Sequence, residues 1–253
     1  MQAMQAKMRR FTGAAGKIAM LMLAIALFIA FIGASSAEPS GPTITFMNNE
    51  TKATSGAATI NTSGGSITTV ILNTTTQNLR WKAYVGNVTG TLTLDDASDN
   101  TIFDWTVTLV QGEVFATRYS GSVNWTGINC SNSTHITNEN KAINHTNRDD
   151  NITATFSQQL HSGFYVGTRQ ILANTCKSLH TYVNSTSQNS RFEEVAMYDG
   201  AKSTGGHVVY AAPLEQDQYG FDNSTYDFQM IVPENGLPGF QSSTAYYFYV
   251  ELT

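Results

Sequence analysis

The sequence predicts an all-β protein, and three observations carry this prediction. Short segments that alternate apolar and polar residues recur from residue 43 to the end, separated by clusters of Asn, Asp, Gly and Ser. No amphipathic pattern of three helical turns occurs after residue 40. A 17-residue apolar run, Ile18 to Ala34, precedes this region. The predicted architecture is an antiparallel β-sandwich, immunoglobulin-like or jelly-roll-like, preceded by an N-terminal hydrophobic helix.

Residues 1–37 have the layout of a secretory signal peptide. Four basic residues and no acidic residue stand before the apolar run, and the small residues Ser35, Ser36 and Ala37 follow it. We expect cleavage after Ala37 and export of residues 38–253 to the extracellular space or cell surface.

Two alternatives for this segment stay open. An apolar run of this length just spans a hydrocarbon core roughly 30 Å thick, so an uncleaved helix would anchor the protein in the membrane. A prepilin-type signal, for which Gly13 and Gly16 leave room, would instead place the helix in the core of a filament.

Length and charge limit the remaining classes. Removal of residues 1–37 leaves 216 residues, enough for one large β-domain or two small ones. Ten basic and nineteen acidic residues remain, a net charge of −9, which excludes a basic nucleic-acid surface. Charged residues make up 13% of the chain, against roughly 25% in an average domain. Solubility must therefore come from Asn, Thr, Ser and attached sugar.

Eleven Asn-x-Ser/Thr triplets, none with a central proline, follow the apolar run. Such triplets accept N-linked glycans only in chains that cross a membrane, so the apolar run gives them their meaning. An Asn- and Thr-rich composition also raises the number that arises by chance. The predicted glycosylation sites are Asn49, Asn61, Asn73, Asn87, Asn124, Asn129, Asn132, Asn144, Asn151, Asn184 and Asn223.

The first half of the exported chain predicts several strands. Val88–Leu94 alternates most regularly, and Asp95–Asn100 is a turn by composition, so residues 88–110 predict a hairpin. The other predicted strands before residue 120 are Thr43–Met47, Ser66–Leu72, Trp81–Val85 and Glu113–Tyr119.

Residues 127–153 interrupt this pattern with seven asparagines, four of the triplets and few large apolar residues. Such a composition buries too little surface to offset its ordering entropy, so we predict a long glycosylated loop. Further strands are predicted at Gly163–Leu172, His180–Val183, Phe192–Tyr198, His207–Ala211 and Tyr226–Val232.

The chain closes on an apolar strand, residues 245–252. Alternation places Tyr246, Phe248, Val250 and Leu252 toward the core and Tyr247, Tyr249 and Glu251 outward. We favour a sealed central strand over an edge that pairs with a neighbouring molecule. No hydrophobic tail follows it, so we expect no lipid anchor at this end.

The two cysteines, Cys130 and Cys176, predict one disulfide, because an exported chain meets an oxidising compartment. A free thiol pair or a bridge to another chain is the alternative. Two lone cysteines are poor metal ligands, and we expect no metal and no cofactor.

No catalytic signature stands out. Asp95, Asp96, Asp99 and Asn100 could bind calcium, but such clusters also build hairpin turns. The five histidines show no ligand spacing, and we expect them to be solvated or capped. Carboxyl pairs for glycoside cleavage could come from Asp104, Glu113, Glu193, Glu194 or Asp199, yet nothing selects a pair.

The three tryptophans give a further hypothesis. Trp81, Trp105 and Trp125, with the many tyrosines, could form a platform on which sugar rings stack, as in carbohydrate-binding modules. Tryptophans at the ends of hairpin-rich stretches are more often part of a core.

Three phrases resemble segments of uncharacterised, secreted archaeal surface proteins: residues 80–90 (RWKAYVGNVTG), residues 226–236 (YDFQMIVPENG) and the closing YFYVEL. The resemblance carries no functional motif and no catalytic residue. It implies a cell-surface setting in which envelope and filament proteins carry dense N-glycosylation.

These observations predict an exported, glycosylated structural or adhesive surface protein or filament subunit, which is not an enzyme. A carbohydrate- or partner-binding module is the first alternative and a secreted glycoside hydrolase the second. The expected partners are further copies of the chain or surface glycans. Nucleic acid is not expected, and membrane contact is expected only through an uncleaved N-terminal helix.

Overall fold

The computed structural model describes residues 38–253 except 54–55, 75, 108, 147, 184–185, 188–191, 201–206 and 236–243. A unit boundary falls between Ala37 and Glu38, and the fold below is that of the second unit. The predicted signal or anchor at residues 1–37 and the predicted glycan acceptor Asn184 lie outside the described residues.

Antiparallel strands dominate the described part of the chain, so the predicted all-β class is confirmed. Its strands are β1 (Trp81–Gly86), β2 (Leu92–Asp95), β3 (Thr101–Trp105), β4 (Gly112–Thr117), β5 (Asn129–Cys130), β6 (Phe164–Val166), β7 (Arg169–Ile171), β8 (Ser178–His180), β9 (Tyr182–Val183), β10 (Thr186–Ser187), β11 (Glu193–Tyr198), β12 (Val208–Pro213), β13 (Gln218–Tyr219), β14 (Thr225–Tyr226), β15 (Phe228–Pro233) and β16 (Tyr247–Leu252). Two short helices, α1 (Ser133–Ala142) and α2 (Ile152–Thr155), and a 3-10 turn, Trp125–Gly127, complete it.

A six-stranded central sheet organises the fold. Its strand order is β16-β4-β12-β11-β5, and β8 pairs with the first half of β11 along the same edge that β5 occupies at the second half. Phe115 in β4 lies opposite Ala211 in β12 and opposite Tyr249 in β16, which fixes the register of the three strands. The predicted strands over 113–119, 192–198, 207–211 and 245–252 all belong to this sheet.

Both faces of the central sheet are buried. One face packs against the β1–β15 ribbon and the two helices; the residues of this first core include Val114, Ala116, Ala196, Tyr210, Ile136, Ile152, Met230 and Val232. The other face packs against the β6–β7 hairpin and the 3-10 turn; this second core includes Phe115, Val195, Met197, Val209, Ala211, Trp125, Phe164 and Val166. Strands covered on both sides have nearly continuous apolar sequences, as in Val208–Ala212.

The predicted loop over 127–153 is wrong, because this segment contains α1 and α2. The side chain of Asn132 caps α1 and that of Asn151 caps α2. Ile136 and Ile152 are fully buried in the first core. Four buried isoleucines, Ile128, Ile136, Ile143 and Ile152, and two side-chain caps therefore order a segment whose average composition suggests a loop.

An ion pair fixes α1 to the sheet. The guanidinium of Arg118, just after β4, donates from Nε at 2.6 Å and from a terminal nitrogen at 3.0 Å to the two carboxylate oxygens of Glu139. The Glu139 side chain is only 1% exposed, and the paired geometry offsets the cost of burying its charge. Among the described residues, neither helix has the length and hydropathy that a membrane crossing requires.

Two other strand predictions are wrong. Thr43–Met47 and Ser66–Leu72 are described and form no strand. Alternation makes a segment competent for a sheet, but a strand exists only where a neighbour completes its hydrogen bonds. The hairpin predicted over 88–110 does form, in the shorter pair β2 and β3.

The position of β16 also differs from the favoured prediction. It is the last strand in the order of the central sheet, and its outer side is bridged only at Val250, by Ser40, among the described residues. Pro39 and Pro42 flank Ser40 and lack the N–H that further pairing needs. Tyr249 packs in the second core and Glu251 is 2% exposed, so their predicted outward orientation is wrong.

The predicted disulfide between Cys130 and Cys176 forms and closes a loop across a sequence separation of 46 residues. It ties the short strand β5, which precedes α1, to a residue buried in the second core. The disulfide adds a covalent link to the ion pair and the core contacts that hold the Asn-rich segment on the sheet.

Replacing both cysteines, Cys130→Ala with Cys176→Ala, should lower the free energy of unfolding by about 4 kcal/mol, because the unfolded chain regains the entropy of the opened loop. Urea denaturation, monitored by tryptophan fluorescence, measures this difference in the free energy of unfolding. Wild type kept reduced is the control and should unfold at the same urea concentration as the double variant. A decrease in the free energy of unfolding of less than about 1 kcal/mol would contradict a stabilising role for the disulfide.

Candidate functional site

The predicted glycan acceptors that the structure describes lie at the surface of the fold. Ten of the eleven are described, and none of the ten is buried. Asn124 and Asn151 are half-buried. The exposed acceptors are Asn49, Asn61, Asn73, Asn87, Asn129, Asn132, Asn144 and Asn223. The outer surface therefore presents the side chains to which sugar would be attached.

Several of these asparagines also hold the backbone. Oδ1 of Asn132 accepts a hydrogen bond from His135 N at 3.0 Å, and Oδ1 of Asn151 accepts one from Ala154 N at 2.8 Å. Oδ1 of Asn124 accepts from Gly127 N at 3.2 Å in the 3-10 turn. The glycan bond forms at Nδ2, so an oxygen cap and a glycan can coexist on one side chain.

Asn129 differs from the other described acceptors. The hydroxyl residue of its triplet, Ser131, is 5% exposed, and its Oγ donates to Ala196 O at 2.7 Å. The central residue of the triplet, Cys130, is in the disulfide. An enzyme that must reach both Asn129 and Ser131 finds them accessible only before the fold closes.

A buried histidine organises the loop that carries Cys176. Nε2 of His161 accepts hydrogen bonds from Thr175 N at 3.1 Å and from Cys176 N at 3.0 Å. Its Nδ1 then donates to Ser162 O at 2.7 Å, which defines the neutral tautomer. His161, His145 and His180 are buried rather than solvated, and each has a ring nitrogen hydrogen-bonded to a protein group.

The central sheet brings two carboxyl groups together. Glu113 in β4 lies directly opposite Glu251 in β16, and both are buried beneath the turn between β6 and β7. The carboxylate oxygens of Glu251 accept from Gly167 N at 3.0 and 2.8 Å. Burial, together with the neighbouring Glu251, raises the pKa of Glu113 to about 8. Glu113 is thus a protonated carboxylic acid at neutral pH, and it lies beside the carboxyl group of Glu251.

This pair was not selected from the sequence. Glu113 was one of five candidates, and Glu251 was expected to face solvent. The pairing follows from the register between the last strand and β4, which alternation within either strand does not reveal.

The other candidate carboxylates lie apart. Glu193 accepts from Ser162 N at 2.6 Å on the second-core face, and Glu194 accepts from Ile231 N at 2.9 Å on the first-core face. Full burial raises the pKa of Glu194 well above its usual range. Asp199 accepts from Asn124 N at 3.1 Å, and Asp104 is exposed in β3. Glu193 and Glu194 thus face opposite sides of the sheet, as consecutive residues of a strand do.

The acidic turn between β2 and β3 is held by its own hydrogen bonds. The carboxylate of Asp96 accepts from Ser98 N at 2.8 Å and from Asn100 N at 2.9 Å. Asp95 accepts from Thr93 Oγ1 at 2.7 Å. Within the part of the chain that the structure describes, no cluster of three His, Cys, Asp or Glu side chains could hold a metal ion.

The three tryptophans do not form one platform. Trp125 is buried in the second core, and Trp81 is half-buried with its Nε1 donating to Asp150 O at 2.7 Å. Trp105 is 48% exposed on β3, with the ring of Phe103 at 5.0 Å. Of the three tryptophans, Trp105 is therefore the one whose ring is exposed, and it lies beside the exposed ring of Phe103.

Comparison with known proteins adds no relative: no protein-family model, no curated protein and no solved structure matches the chain. Functional inference for this protein therefore starts from its own residues.

The buried pair makes a prediction about pH. The pKa of Glu113 lies above its usual 4.5, so the folded state favours the protonated form. Its contribution to stability is complete below about pH 4.5, falls as the pH rises, and is lost above about pH 8. Relative to Glu113→Gln, which cannot ionise, wild type should lose about 4 kcal/mol of unfolding free energy between pH 5 and pH 9.

Urea denaturation at each pH measures this difference, with Glu50→Gln at an exposed carboxylate as control. Parallel curves for wild type and Glu113→Gln would refute a raised pKa.

The contacts of Ser131 make a prediction about glycosylation. Occupancy at Asn129 should be the lowest among the described acceptors, because folding and disulfide formation hide its triplet. Glycopeptide mapping of the native protein measures each site. Occupancy at Asn129 should rise in Cys130→Ser with Cys176→Ser, whereas occupancy at Asn223, remote from the disulfide in sequence, serves as the internal control. Full occupancy at Asn129 in wild type would contradict this ordering.

Proposed function

We propose that the protein is an exported, N-glycosylated structural component of the cell surface or of an extracellular filament, with adhesive rather than catalytic properties. One observation carries the proposal: all ten described acceptor asparagines are exposed or half-buried, although they are scattered over the chain from Asn49 to Asn223. An acceptor asparagine must be accessible to carry a glycan, and none of these ten side chains is buried.

Export is supported from two directions. The apolar run Ile18 to Ala34 follows four basic residues, as a secretory signal or an N-terminal anchor does. The disulfide between Cys130 and Cys176 is of the kind that persists in oxidising compartments outside the cytosol. In this proposal the segment 1–37 is cleaved, anchors the protein, or packs in a filament core.

The finer fold class belongs to the same proposal. We favour a sandwich-like arrangement in which the β1–β15 ribbon is the remnant of a second sheet over the central one. Two-layer β-domains of this kind serve widely as rigid surface modules. The phrase-level resemblance to archaeal surface proteins is consistent with this setting.

A carbohydrate- or partner-binding module is the second candidate. The exposed aromatic pair Phe103 and Trp105 favours it, because aromatic rings that remain partly in water are suited to stack on sugar. A secreted hydrolase is the third candidate. The Glu113–Glu251 pair does not favour it, because both carboxyls lie beneath the β6–β7 turn rather than in an open cleft.

The intact mass of the protein isolated from its native cells tests the proposal most directly. We expect a mass increased by several glycans over that of the polypeptide and lowered by two hydrogens for the disulfide. Enzymatic or chemical deglycosylation should return the polypeptide mass, which also reports whether residues 1–37 are present. An unmodified chain recovered from the cytosol with two free thiols would refute the proposal.

Assembly is the second test. A structural subunit should form concentration-dependent polymers in the purified state, seen by light scattering and negative-stain microscopy. A monomer at every concentration that is retained on a glycan array would favour the binding module instead.

A further inference from the structure

The hairpin β13–β14 presents aromatic side chains around its turn. Phe221, in the turn, is 50% exposed, and Tyr219, at the end of β13, is 62% exposed. Tyr226, in β14, is half-buried. Its ring lies nearly parallel to the ring of Phe221, at an angle of 14° and with the ring centroids 6.0 Å apart. Part of the aromatic surface of this hairpin is therefore in contact with water.

The turn of this hairpin has a defined geometry. Asn223 N donates to Gly220 O at 3.2 Å, and Gly220 N donates to Ser224 O at 2.8 Å. Asn223 has a φ of 65°, the left-handed conformation that asparagine adopts more readily than most residues. These two bonds and one left-handed residue are typical of a three-residue hairpin loop.

The fold holds the aromatic surface in place. The ring of Tyr226 packs directly on the backbone of Gly220, where a Cβ would clash with it. The hydroxyl of Tyr226 donates to Asp222 Oδ2 at 3.0 Å. The backbone N of Phe221 donates at 2.8 Å to Oε1 of Gln229, a residue that is 4% exposed. A surface that is fixed in this way loses little conformational entropy when a ligand binds to it.

A predicted glycan acceptor lies in the same turn. Asn223 begins the triplet Asn-Ser-Thr, and its side chain is exposed. It follows Phe221 by two residues, so the two Cα atoms are at most about 7 Å apart. The hydroxyl of Tyr226 reaches Asp222, the residue just before Asn223. A glycan linked to Nδ2 of Asn223 therefore starts beside both rings.

We propose that the first sugars of the glycan on Asn223 stack on the aromatic surface formed by Phe221 and Tyr226. This inference rests on the proposed N-glycosylation of the protein and names a site on the protein that binds the glycan. The ligand is a pyranose, whose carbon-bound hydrogens form an apolar face that packs on an aromatic ring. Its hydroxyl groups lie at the edge of that face, near the exposed carboxylate of Asp222, which accepts hydrogen bonds.

Covalent attachment favours the glycan of the protein itself over a free saccharide. A sugar that stacks on one or two rings makes a small contact, which gives a free ligand little affinity. A short linker raises the effective concentration of the attached sugar to the mM range, so a weak contact is sufficient. The exposed rings of Phe103 and Trp105 lack this advantage in their own hairpin, because no acceptor occurs in the sequence between Asn87 and Asn124.

The stacked glycan should keep the hairpin closed. β13 and β14 contain two residues each, and a two-stranded hairpin is marginally stable by itself. The sugar would contact Phe221 in the turn and Tyr226 in the returning strand, so opening of the hairpin would break the contact. Glycosylation at Asn223 would thus order a piece of the protein surface as well as cover it.

Hydrogen exchange of the backbone amides of residues 218–226, measured by mass spectrometry on the full-length exported protein, tests the proposal. Wild type is compared with Thr225→Val, which removes the hydroxyl of the triplet and hence the glycan. Asn223 and both rings stay in place in this variant. Exchange should be about fivefold slower in glycosylated wild type, because the stacked sugar must leave the rings before the hairpin opens.

The same comparison in three further backgrounds assigns the effect to the ring. In Phe221→Leu the fivefold difference should disappear, because leucine is apolar but has no flat face. In Phe221→Tyr it should remain. The matched control is Phe103→Leu, which removes a ring that is 56% exposed in the β2–β3 hairpin and should leave the difference unchanged.

Proton NMR of the native glycan gives a measurement that does not depend on the stability of the hairpin. Carbon-bound protons of the first sugar on Asn223 should be shifted upfield in wild type, because they lie over an aromatic ring. In Phe221→Leu they should return to the position of an unstacked sugar. This result decides the question even where the leucine variant loosens the hairpin.

A fivefold difference that persists in Phe221→Leu, or sugar protons that are unshifted in wild type, overturns the proposed site. Glycopeptide mapping separates this failure from that of the proposed function. Glycans at other acceptors but none at Asn223 overturn the site alone, whereas a chain without any glycan refutes the glycosylated protein as well. Retention of Thr225→Val on a glycan array that is lost with Phe221→Leu would assign the rings to a foreign saccharide and also overturn the proposal.

Discussion

Burial of the central sheet on both faces is the constraint on which the rest of the structure depends. With a core on each side, the inner strands of this sheet, β4, β12 and β11, have no solvent face on which polar residues can be placed. Glu113, Glu193, Glu194 and Glu251 all lie in these strands and are all buried. Each therefore needs a partner inside the protein, and the partners decide much of the local geometry.

The partners come mostly from backbone N–H groups of the covering layers. Gly167 N in the β6–β7 turn donates to Glu251, Ser162 N donates to Glu193, and Ile231 N in β15 donates to Glu194. These bonds attach the turn, the preceding loop and the ribbon to the sheet at fixed positions. Apolar contact gives most of the burial free energy, while the carboxylates determine the alignment of each layer.

Asparagine has two roles in this chain. At Asn132 and Asn151 it starts a helix through Oδ1, and the same side chain presents Nδ2 for modification. A chain with few charges obtains both its caps and its proposed sugar coat from one residue type. The Asn-rich segment 127–153 is therefore ordered where its composition suggests a loop.

The sequence by itself determined the local features of this protein. Alternation predicted the class, the hairpin of β2 and β3 and most strands of the central sheet, and two cysteines were enough to predict their disulfide. The strands and the hairpin depend on residues that are close in sequence. The disulfide could be predicted because a chain with two cysteines allows only one internal pairing.

Only the tertiary structure decided which strands find neighbours. Thr43–Met47 alternates and Ser66–Leu72 is rich in β-branched residues, as strands are, yet nothing in the described fold completes their hydrogen bonds. The Glu113–Glu251 pair joins residues far apart in the chain through one register. Which strands pair, and in which register, depends on every strand that can occupy a given sheet edge and on the core that each would pack against. The sequence of one segment therefore does not specify its partner or its register.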